Sequence, residues 1–203
     1  EMQLESLLRK IVEVTTKLLH ADRSSLFLYD EKRDELWSLV AEGVNSQQIR
    51  FPANQGLAGA ALMSGEVVNT PDAYDDPRFI REIDVETGYR SRTILSMPII
   101  ARDGRKLGVM QALNRQNATR FSAEDIAKMG AFAAQAAIAI DNATLFSQIV
   151  ESQNYKEGIL RSMSARVITL DREGQIIKVN EAAATMFGVS AEVAQSTNLR
   201  AFL

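Results

Sequence analysis

Three side chains that could bind a polar ligand stand close together in the stretch "IDVETGYRSRTIL", residues 83–95. Asp84, Thr87 and Ser91 are three and four residues apart, a spacing that would place them on one face of a helical turn. A carboxylate and two hydroxyls can donate and accept hydrogen bonds in a dry pocket, where unpaired polar groups are costly. The same residues also suit an ordinary capped surface helix. The stretch therefore suits either the lip of a pocket for a small, polar, negatively charged ligand or a plain surface loop.

Two further stretches, "NQGLAG" (54–59) and "PRFIRE" (77–82), each predict the start of a short helix. The N-terminus of a helix carries a positive partial charge and free backbone N–H groups, so it can bind an anion without a lysine. Gly56 and Gly59 would permit close approach to such an anion. Turn formation and helix packing are the alternative explanation for these two glycines.

The chain of 203 residues has no cysteine and a single histidine, His20. This composition excludes disulfides, thiolate zinc sites, cysteine nucleophiles, thioether-linked bilins and two-histidine metal motifs. Asp84 and Glu86 are two residues apart, which suits neither a pair on one helix face nor a metal motif. Catalysis is therefore the weakest interpretation of this chain, and we expect no metal and no cofactor.

Charge and hydropathy narrow the class of partner. With 23 basic and 26 acidic residues, the chain lacks the basic excess that is typical of nucleic-acid binding. No run approaches the roughly 18 apolar residues that a membrane span needs, and no signal peptide opens the sequence. We therefore expect a cytoplasmic protein with neither a nucleic-acid nor a membrane partner. Because the sequence begins inside an amphipathic pattern, we expect it to be a fragment of a longer chain.

The elements that would position these residues are a helix, several strands, short helices and a final long helix. Apolar residues at three- and four-residue steps predict a helix over residues 4–19. Strands are predicted at "RSSLFLYD", "LWSLVAEG", "TILSMPIIA" and "KLGVMQALN". The turn "RDGR" between the last two favours antiparallel pairing. This order predicts an α+β domain whose antiparallel sheet has helices packed on one face.

A long helix is predicted from Ser122 onward, with Asp125 placed to complete its N-terminal cap. Along it, small and apolar residues at alternating three- and four-residue steps form a heptad seam: Ile126, Met129, Ala133, Ala136, Ile140, Ala143, Ser147 and Val150. The seam favours a homodimer of parallel helices. Packing against a neighbouring helix of the same domain is the alternative.

The pattern then changes to a hairpin followed by a helix, at "VITLD", "IIKVN" and "EAAATMFG". Three such elements bury too little apolar area to fold alone. We therefore expect a second domain that begins near Ser162 and is incomplete at residue 203.

The chain resembles the cyclic-nucleotide-binding GAF domains of phosphodiesterases and cyanobacterial adenylyl cyclases. The phrases that carry the resemblance are "ADRSSLFLYD", "QGLAGAALMSGEVVNTPDAYDDPRF", "DVETGYRSRTILSMPI" and "GVMQALNR" with "FSAED". The resemblance covers residues 3–150, while residues 162–203 resemble the N-terminal part of a PAS domain, with a helical linker at 151–161. The junction "SQNYKEGILRSMSARVITLD" resembles that of the cyclases in particular.

The cyclic-nucleotide GAF domains carry a signature of an Asn-Lys pair, then Phe, then Asp-Glu. This chain matches it with Asn114, Arg115, Phe121 and Asp125, but has Arg in place of Lys and Ile126 in place of the final Glu. In the family the Lys–Asp ion pair holds the last strand against the long helix, so the resemblance implies an Arg115–Asp125 pair. The alternative is that both side chains are simply solvated.

The resemblance also implies eight ligand-binding residues: Arg23, Ser25, Leu57, Ala58, Ile80, Asp84, Thr87 and Ser91. The amides near Leu57, Ala58 and Ile80 would face the phosphate of the nucleotide, and the three lid residues would supply an acid and two hydroxyls. The two residues of the first strand would reach the base edge, although a solvated charge is the alternative for the arginine. Val40 and Ala41 align with the aromatic position of phosphodiesterases, so no stacking is expected there.

Two functions remain in competition. In the first, the chain is a regulatory module that binds cAMP or cGMP and relays the signal through a dimeric helix to PAS and an output domain. The cyclase-like junction favours cAMP as the ligand and an adenylyl cyclase as the output. In the second, the chain is a GAF–PAS sensor or dimerising spacer of a histidine kinase or diguanylate cyclase, with another ligand or none.

Overall fold

The computed structural model describes residues 2–41, 49–162, 165–188, 198 and 200. The chain divides into two compact units, Glu1–Thr144 and Leu145–Leu203. Within the described ranges, no helix combines the length and the apolar character needed to cross a membrane.

The first unit is built on a six-stranded sheet. Its strands are β1 (Ala21–Asp30), β2 (Glu35–Ala41), β3 (Arg50–Pro52), β4 (Val68–Thr70), β5 (Ile94–Ile100) and β6 (Lys106–Arg115). They lie in the order β3-β2-β1-β6-β5-β4, and every neighbouring pair runs antiparallel. The predicted α+β fold with an antiparallel sheet is confirmed.

Among the described residues of this unit, four helices lie wholly or partly within it: α1 (Met2–Leu18), α2 (Gly56–Ser64), α3 (Arg81–Thr87) and α4 (Ala123–Ser162). A short 3₁₀ helix, Ala73–Asp75, precedes α3. Glycines in the left-handed conformation end two of the helices, Gly65 after α2 and Gly88 after α3. This conformation is open to glycine without steric cost, which explains why both helices stop where they do.

Helices cover both faces of the sheet, so the prediction that they pack on one face is wrong. On one face, α1 and α4 pack around Leu26, Leu95 and Met110. On the other face, α2 packs around Phe27 and Val109. Neighbouring residues of a strand point to opposite faces, and these strands carry apolar residues at successive positions. Such continuous apolar runs indicate strands that are buried on both sides.

Within the first unit, the heptad seam of α4 packs into the core of its own domain, whereas a homodimer contact was predicted. Met129, Ala133, Ala136 and Ile140 are buried in the same apolar cluster as α1 and the sheet. Their small and apolar side chains let α4 lie close to its own domain, which was the alternative explanation of the seam. These four positions are therefore not available to a second copy of the chain.

The second unit contains the end of α4, the hairpin β7 (Ile168–Leu170) and β8 (Ile176–Val179), and α5 (Glu181–Phe187). Asn180 caps α5 by accepting from the Ala183 N–H, and its side-chain amide donates to the Ala165 carbonyl at 2.7 Å. The predicted hairpin and helix are therefore present, and the predicted linker at 151–161 lies within α4. Residues 163–164, 189–197, 199 and 201–203 of the predicted PAS segment lie outside the described residues.

Candidate ligand-binding site

One cavity of the first unit brings together every residue that the sequence predicts as a ligand contact. It lies between the sheet face covered by α2 and the segment 79–91, which we call the lid. Its lining includes Arg23, Ser25, Leu57, Ala58, Ile80, Asp84, Thr87 and Ser91. It also includes residues that were not predicted, among them Phe27, Phe51, Phe79, Tyr89, Gln111 and Leu113. The side chains of Val40 and Ala41 lie outside the described residues.

Strands β1 and β6 form much of the cavity floor, and their register decides which residues face it. On β1 the cavity side is occupied by Arg23, Ser25 and Phe27. Ser25 pairs with Gln111 on β6, and Arg23 pairs with Leu113. Because residues two apart in a strand point the same way, the positions of Arg23 and Ser25 carry a signal that could have predicted Phe27.

Apolar and aromatic side chains form most of the wall. The rings of Phe27 and Phe51 meet edge to face with their centroids 5.4 Å apart, and Phe79 lies 5.3 Å from the ring of Tyr74. An apolar wall with a few polar groups is typical of small-molecule sites. The cavity measures about 80 Å³, which is room for roughly five water molecules.

The first turn of α2, residues 56–58, lines the cavity. The first N–H groups of a helix have no partner within it, so they remain available to an anion. Gly56 has a φ of +72°, and a Cβ at this position would lie 3.0 Å from Ile80 Cδ1. A Cβ at Gly59 would lie 2.7 Å from the Ala53 carbonyl oxygen. Gly56 therefore allows both the turn and the close approach of the lid, whereas Gly59 serves packing.

Asp84 binds other residues of the site with both of its oxygens. Its Oδ1 accepts from Ser91 Oγ at 2.7 Å, and its Oδ2 accepts from the Ser91 N–H at 2.6 Å and from the Tyr74 hydroxyl at 3.1 Å. Ser91 lies outside α3, because Gly88 ends the helix at Thr87. The prediction that Asp84, Thr87 and Ser91 share one face of a helical turn is therefore wrong, although all three line the cavity.

The hydroxyl groups of Thr87 and Tyr74, near the lid, both donate their protons to hydrogen bonds within the protein. Thr87 Oγ1 donates to the Ile83 carbonyl at 2.7 Å, so it can only accept from a ligand. Burial, together with the hydrogen bond to the Asp84 carboxylate, raises the pKa of the Tyr74 hydroxyl. Tyr74 therefore stays protonated at neutral pH and keeps donating to Asp84.

Arg23 lies over the ring of Tyr89, with the guanidinium carbon 3.4 Å from the ring centroid. It forms no hydrogen bond or ion pair with the residues that the structure describes. Burial and the Asp22 carboxylate raise the pKa of Tyr89 to about 12, so the ring stays neutral. The guanidinium is therefore held in position by stacking while its N–H donors remain available to a ligand.

The signature residues join β6 to the start of α4. Arg115 Nε lies 3.1 Å from Asp125 Oδ2, and Asp125 also accepts from the Ser122 N–H at 2.9 Å. Burial alone would raise the pKa of Asp125, but the bonds from Ser122 and Arg115 outweigh it and lower the pKa. Phe121 is buried, and its carbonyl accepts from Asn69 Nδ2 at 2.9 Å. The paired interpretation of Arg115 and Asp125 matches this geometry, and the solvated one does not.

Asn114 fastens the end of the lid to β6. Its Oδ1 accepts from the Arg92 N–H at 2.6 Å, and its Nδ2 donates to the Arg90 carbonyl at 3.0 Å and to the Tyr89 hydroxyl at 2.6 Å. Its own backbone is left-handed, with a φ of +57°. An asparagine tolerates that conformation better than most residues. This position therefore requires both the backbone and the side chain of asparagine.

The arrangement as a whole suits binding. It combines helix N–H groups, an available guanidinium and a few polar side chains in an apolar cavity that a hydrogen-bonded lid covers. Residues 3–140 match the family model described as the GAF domain, which is more than half of the chain. The chain therefore belongs to the GAF domain family, whose members are typically regulatory rather than catalytic.

The chain is similar to the GAF regulatory regions of cyclic-nucleotide phosphodiesterases. It is 33% identical over 164 residues to the probable 3′,5′-cyclic phosphodiesterase pde-5 of Caenorhabditis elegans, a match that covers 75% of this chain and 22% of that protein. It is 35% identical over 159 residues to the dual 3′,5′-cyclic-AMP and -GMP phosphodiesterase 11A of Takifugu rubripes, which covers 72% and 18%. The chain thus spans about a fifth of the length of these relatives.

Solved structures show the same fold. A GAF domain of a phosphoenolpyruvate-protein phosphotransferase from Coxiella burnetii has a TM-score of 0.66 and 27% identity, covering 71% of this chain and 86% of that one. Free methionine-R-sulfoxide reductase from Neisseria meningitidis, solved with its substrate, has a TM-score of 0.58 and 23% identity, covering 70% and 80%. The second likeness is one of fold alone.

Proposed function

We propose that the cavity binds a 3′,5′-cyclic nucleotide, cAMP in preference to cGMP, and that the chain is the sensor module of a larger regulated protein. The observation that carries the proposal is that the start of α2, Arg23 and the polar lid residues all line one cavity. A cyclic nucleotide carries one phosphodiester charge, a ribose and a base edge. The phosphodiester charge and the base edge each have groups of matching chemistry in the cavity.

The phosphate would lie at the start of α2. Residues 56–58 line the cavity there, and their N–H groups and the helix dipole favour a single negative charge. Gly56 leaves this approach open. Ile80, directly before α3, would close over the same end of the ligand.

The base would lie toward Arg23, Ser25 and Thr87. Adenine presents ring nitrogens that accept and a 6-amino group that donates, which complement the guanidinium of Arg23 and the acceptor oxygen of Thr87. Guanine carries an oxygen at position 6, which would face that acceptor instead. This difference supports cAMP over cGMP.

Ligand binding would be relayed by the lid. Asn114 bonds the end of the lid, and the next residue, Arg115, bonds Asp125 at the start of α4. A ligand that binds one position of the lid better than another would shift the balance between them, and α4 would respond. We propose that α4 forms a homodimer and passes the change to a PAS domain and an adenylyl cyclase output. The cyclase assignment rests on the sequence resemblance of residues 152–171.

Thermal unfolding tests the binding proposal directly. The protein is first stripped of copurified nucleotide by unfolding and refolding, then heated alone and with cAMP, cGMP or AMP. Ligand at a hundredfold excess over its dissociation constant stabilises the fold by about 2.7 kcal/mol, which raises Tm by several degrees. We expect a shift with cAMP, a smaller one with cGMP and none with AMP. No shift with either cyclic nucleotide would contradict the proposal and favour the spacer function.

A further inference from the structure

The floor of the cavity contains a polar row. Ser25 of β1 pairs with Gln111 of β6, and Gln111 pairs in turn with Ser96 of β5, so the three residues lie side by side across the sheet. The residues of β6 on either side of the row in this face, Val109 and Leu113, are apolar. A polar group of a ligand that reaches this part of the floor can therefore form hydrogen bonds only along this row.

The carboxamide of Gln111 is held by a hydrogen bond to a residue outside the cavity lining. Its Nε2 donates to Ser96 Oγ at 2.9 Å, and Ser96 is fully buried and does not line the cavity. Gln111 itself does line the cavity, and its Oε1 accepts no hydrogen bond from the residues that the structure describes. One hydrogen of the amide nitrogen is bound to Ser96, and the acceptor oxygen of Gln111 is left for a molecule in the cavity.

We propose that Gln111 distinguishes between purine bases and that Ser96 is the positioning residue that sets its preference. This inference rests on the proposed cyclic-nucleotide function. With Oε1 turned to the cavity, Gln111 accepts from an amino group at purine position 6, and it disfavours an oxygen there because two acceptors would meet. Ser96 holds the amide in this orientation by accepting from its Nε2, and it does so without touching the ligand.

Ligands that differ only at position 6 of the purine test the inference. We would measure by isothermal titration calorimetry the dissociation constants of cAMP, of the cyclic monophosphate of purine riboside, which has hydrogen at position 6, and of cyclic IMP, which has oxygen. For the stripped wild-type protein we expect cAMP to bind about 3- to 10-fold more tightly than the purine analogue, the equivalent of one neutral hydrogen bond. We expect cyclic IMP to bind more weakly than both.

Three variants separate recognition from a merely structural role. Gln111→Leu should bring the affinities for cAMP and the purine analogue closer together, since only Thr87 would then be left to accept from the 6-amino group. Ser96→Ala should bring the cAMP-to-purine ratio close to that of Gln111→Leu, whereas Ser96→Thr, which keeps the hydroxyl, should restore the wild-type ratio. A loss of overall stability weakens all ligands alike and leaves the ratio unchanged, so the ratio is the decisive quantity.

The outcomes also separate this inference from the proposed function. If none of the three ligands binds the wild-type protein, the cyclic-nucleotide function fails and the inference fails with it. If the ligands bind but Gln111→Leu keeps the wild-type ratio, or Ser96→Ala weakens all three equally, the function stands and the inference is wrong. Tighter binding of cyclic IMP than of cAMP by the wild type would likewise overturn it, since the amide would then present its donor.

Discussion

At the scale of the residue, the lid depends on one buried carboxylate. Asp84 accepts three hydrogen bonds, two from Ser91 and one from Tyr74. In Asp84→Asn, an NH₂ group would replace one acceptor and face one of these donors. Because a buried donor left without a partner costs about 1–3 kcal/mol, we expect the free energy of unfolding to fall by roughly 2 kcal/mol. Urea denaturation would measure this loss, and ligand titration would show weaker binding.

Glu82→Gln is the matched control for this change. Glu82 lies on the same helix, but its side chain is exposed. The same change from acid to amide should therefore alter the free energy of unfolding by less than about 0.5 kcal/mol. Equal effects of the two variants would contradict the role assigned to Asp84.

Asp76 should make the stability sensitive to acid. The bidentate bond from Arg78, together with its backbone N–H, lowers the pKa of Asp76 from 3.8 to about 2. A pKa that is lower in the folded state adds stability above the unfolded value, and this contribution is lost as pH falls from about 4 to about 2. The stability difference between wild type and Asp76→Asn should therefore shrink by roughly 1 kcal/mol over that range, the half-exposed Arg78 being screened by water. Denaturation at pH 5 and pH 2 measures it, and a constant difference would contradict the assignment.

Single residues also show what the sequence could reveal about the site. Arg23 and Ser25 were predictable because they match a family motif. The alternation of residues along β6 shows that Gln111 shares a face with Val109 and Leu113. Predicting that it lies in the cavity also requires the register between β1 and β6, which pairs it with Ser25. Ser96 carried no signal, because its importance comes from a bond to a residue 15 positions away. The role of such residues depends on contacts between strands, and the sequence of a single strand does not reveal those contacts.

At the scale of the element, the turn into α2 brings the backbone of Gly56 close to Ile80 of the lid. Gly56→Ala would place a methyl group 3.0 Å from Ile80 Cδ1 and force alanine into a φ of +72°. The backbone strain costs about 1–2 kcal/mol, and the contact should push the lid outward. We expect both lower stability and weaker ligand binding, measured by thermal unfolding and titration.

Gly104→Ala separates strain from contact. Gly104 lies in the hairpin between β5 and β6 with a φ of +88°, and a Cβ there would meet nothing within 4 Å. This variant should lose a similar amount of stability but keep wild-type ligand affinity. If both variants weaken binding equally, the close approach of Ile80 to Gly56 has no role in binding.

The positions of the helices and strands were largely predictable from the sequence. What each of their apolar faces packs against was not. Periodicity located the strands and the long helix, whereas the end of α3 at Gly88 was missed, because Ser91 was predicted on the same helical turn as Asp84 and Thr87. The same periodicity could not tell a seam that packs on its own sheet from one that packs on another chain, because small apolar residues suit both. Met129 and Ala136 resolve this for the first half of α4, since both are buried within their own unit.

At the scale of the whole molecule, the exposed apolar residues of α4 are the surface on which we propose the homodimer. Ile138, Leu145 and Ile149 follow seven and four residues apart and are exposed, as is Phe146 at 68%. This is the spacing of a second seam, one that the sheet does not cover. Monomeric proteins rarely leave such a row in water, because covering apolar surface is favourable by roughly 25 cal/mol per Å².

A pair of charges on this row should therefore break the dimer and leave the sensor intact. We expect the wild-type protein to sediment as a dimer at micromolar concentration and Phe146→Glu with Ile149→Glu as a monomer, since facing helices would each have to bury carboxylates. Glutamate favours helix, so α4 should persist, and ligand affinity should be unchanged because neither position lines the cavity. Gln148→Glu, which adds the same charge at an exposed polar position of α4, should remain a dimer. A wild-type monomer at high concentration would contradict the proposed homodimer. A double variant that still dimerises would show that the dimer forms through another surface.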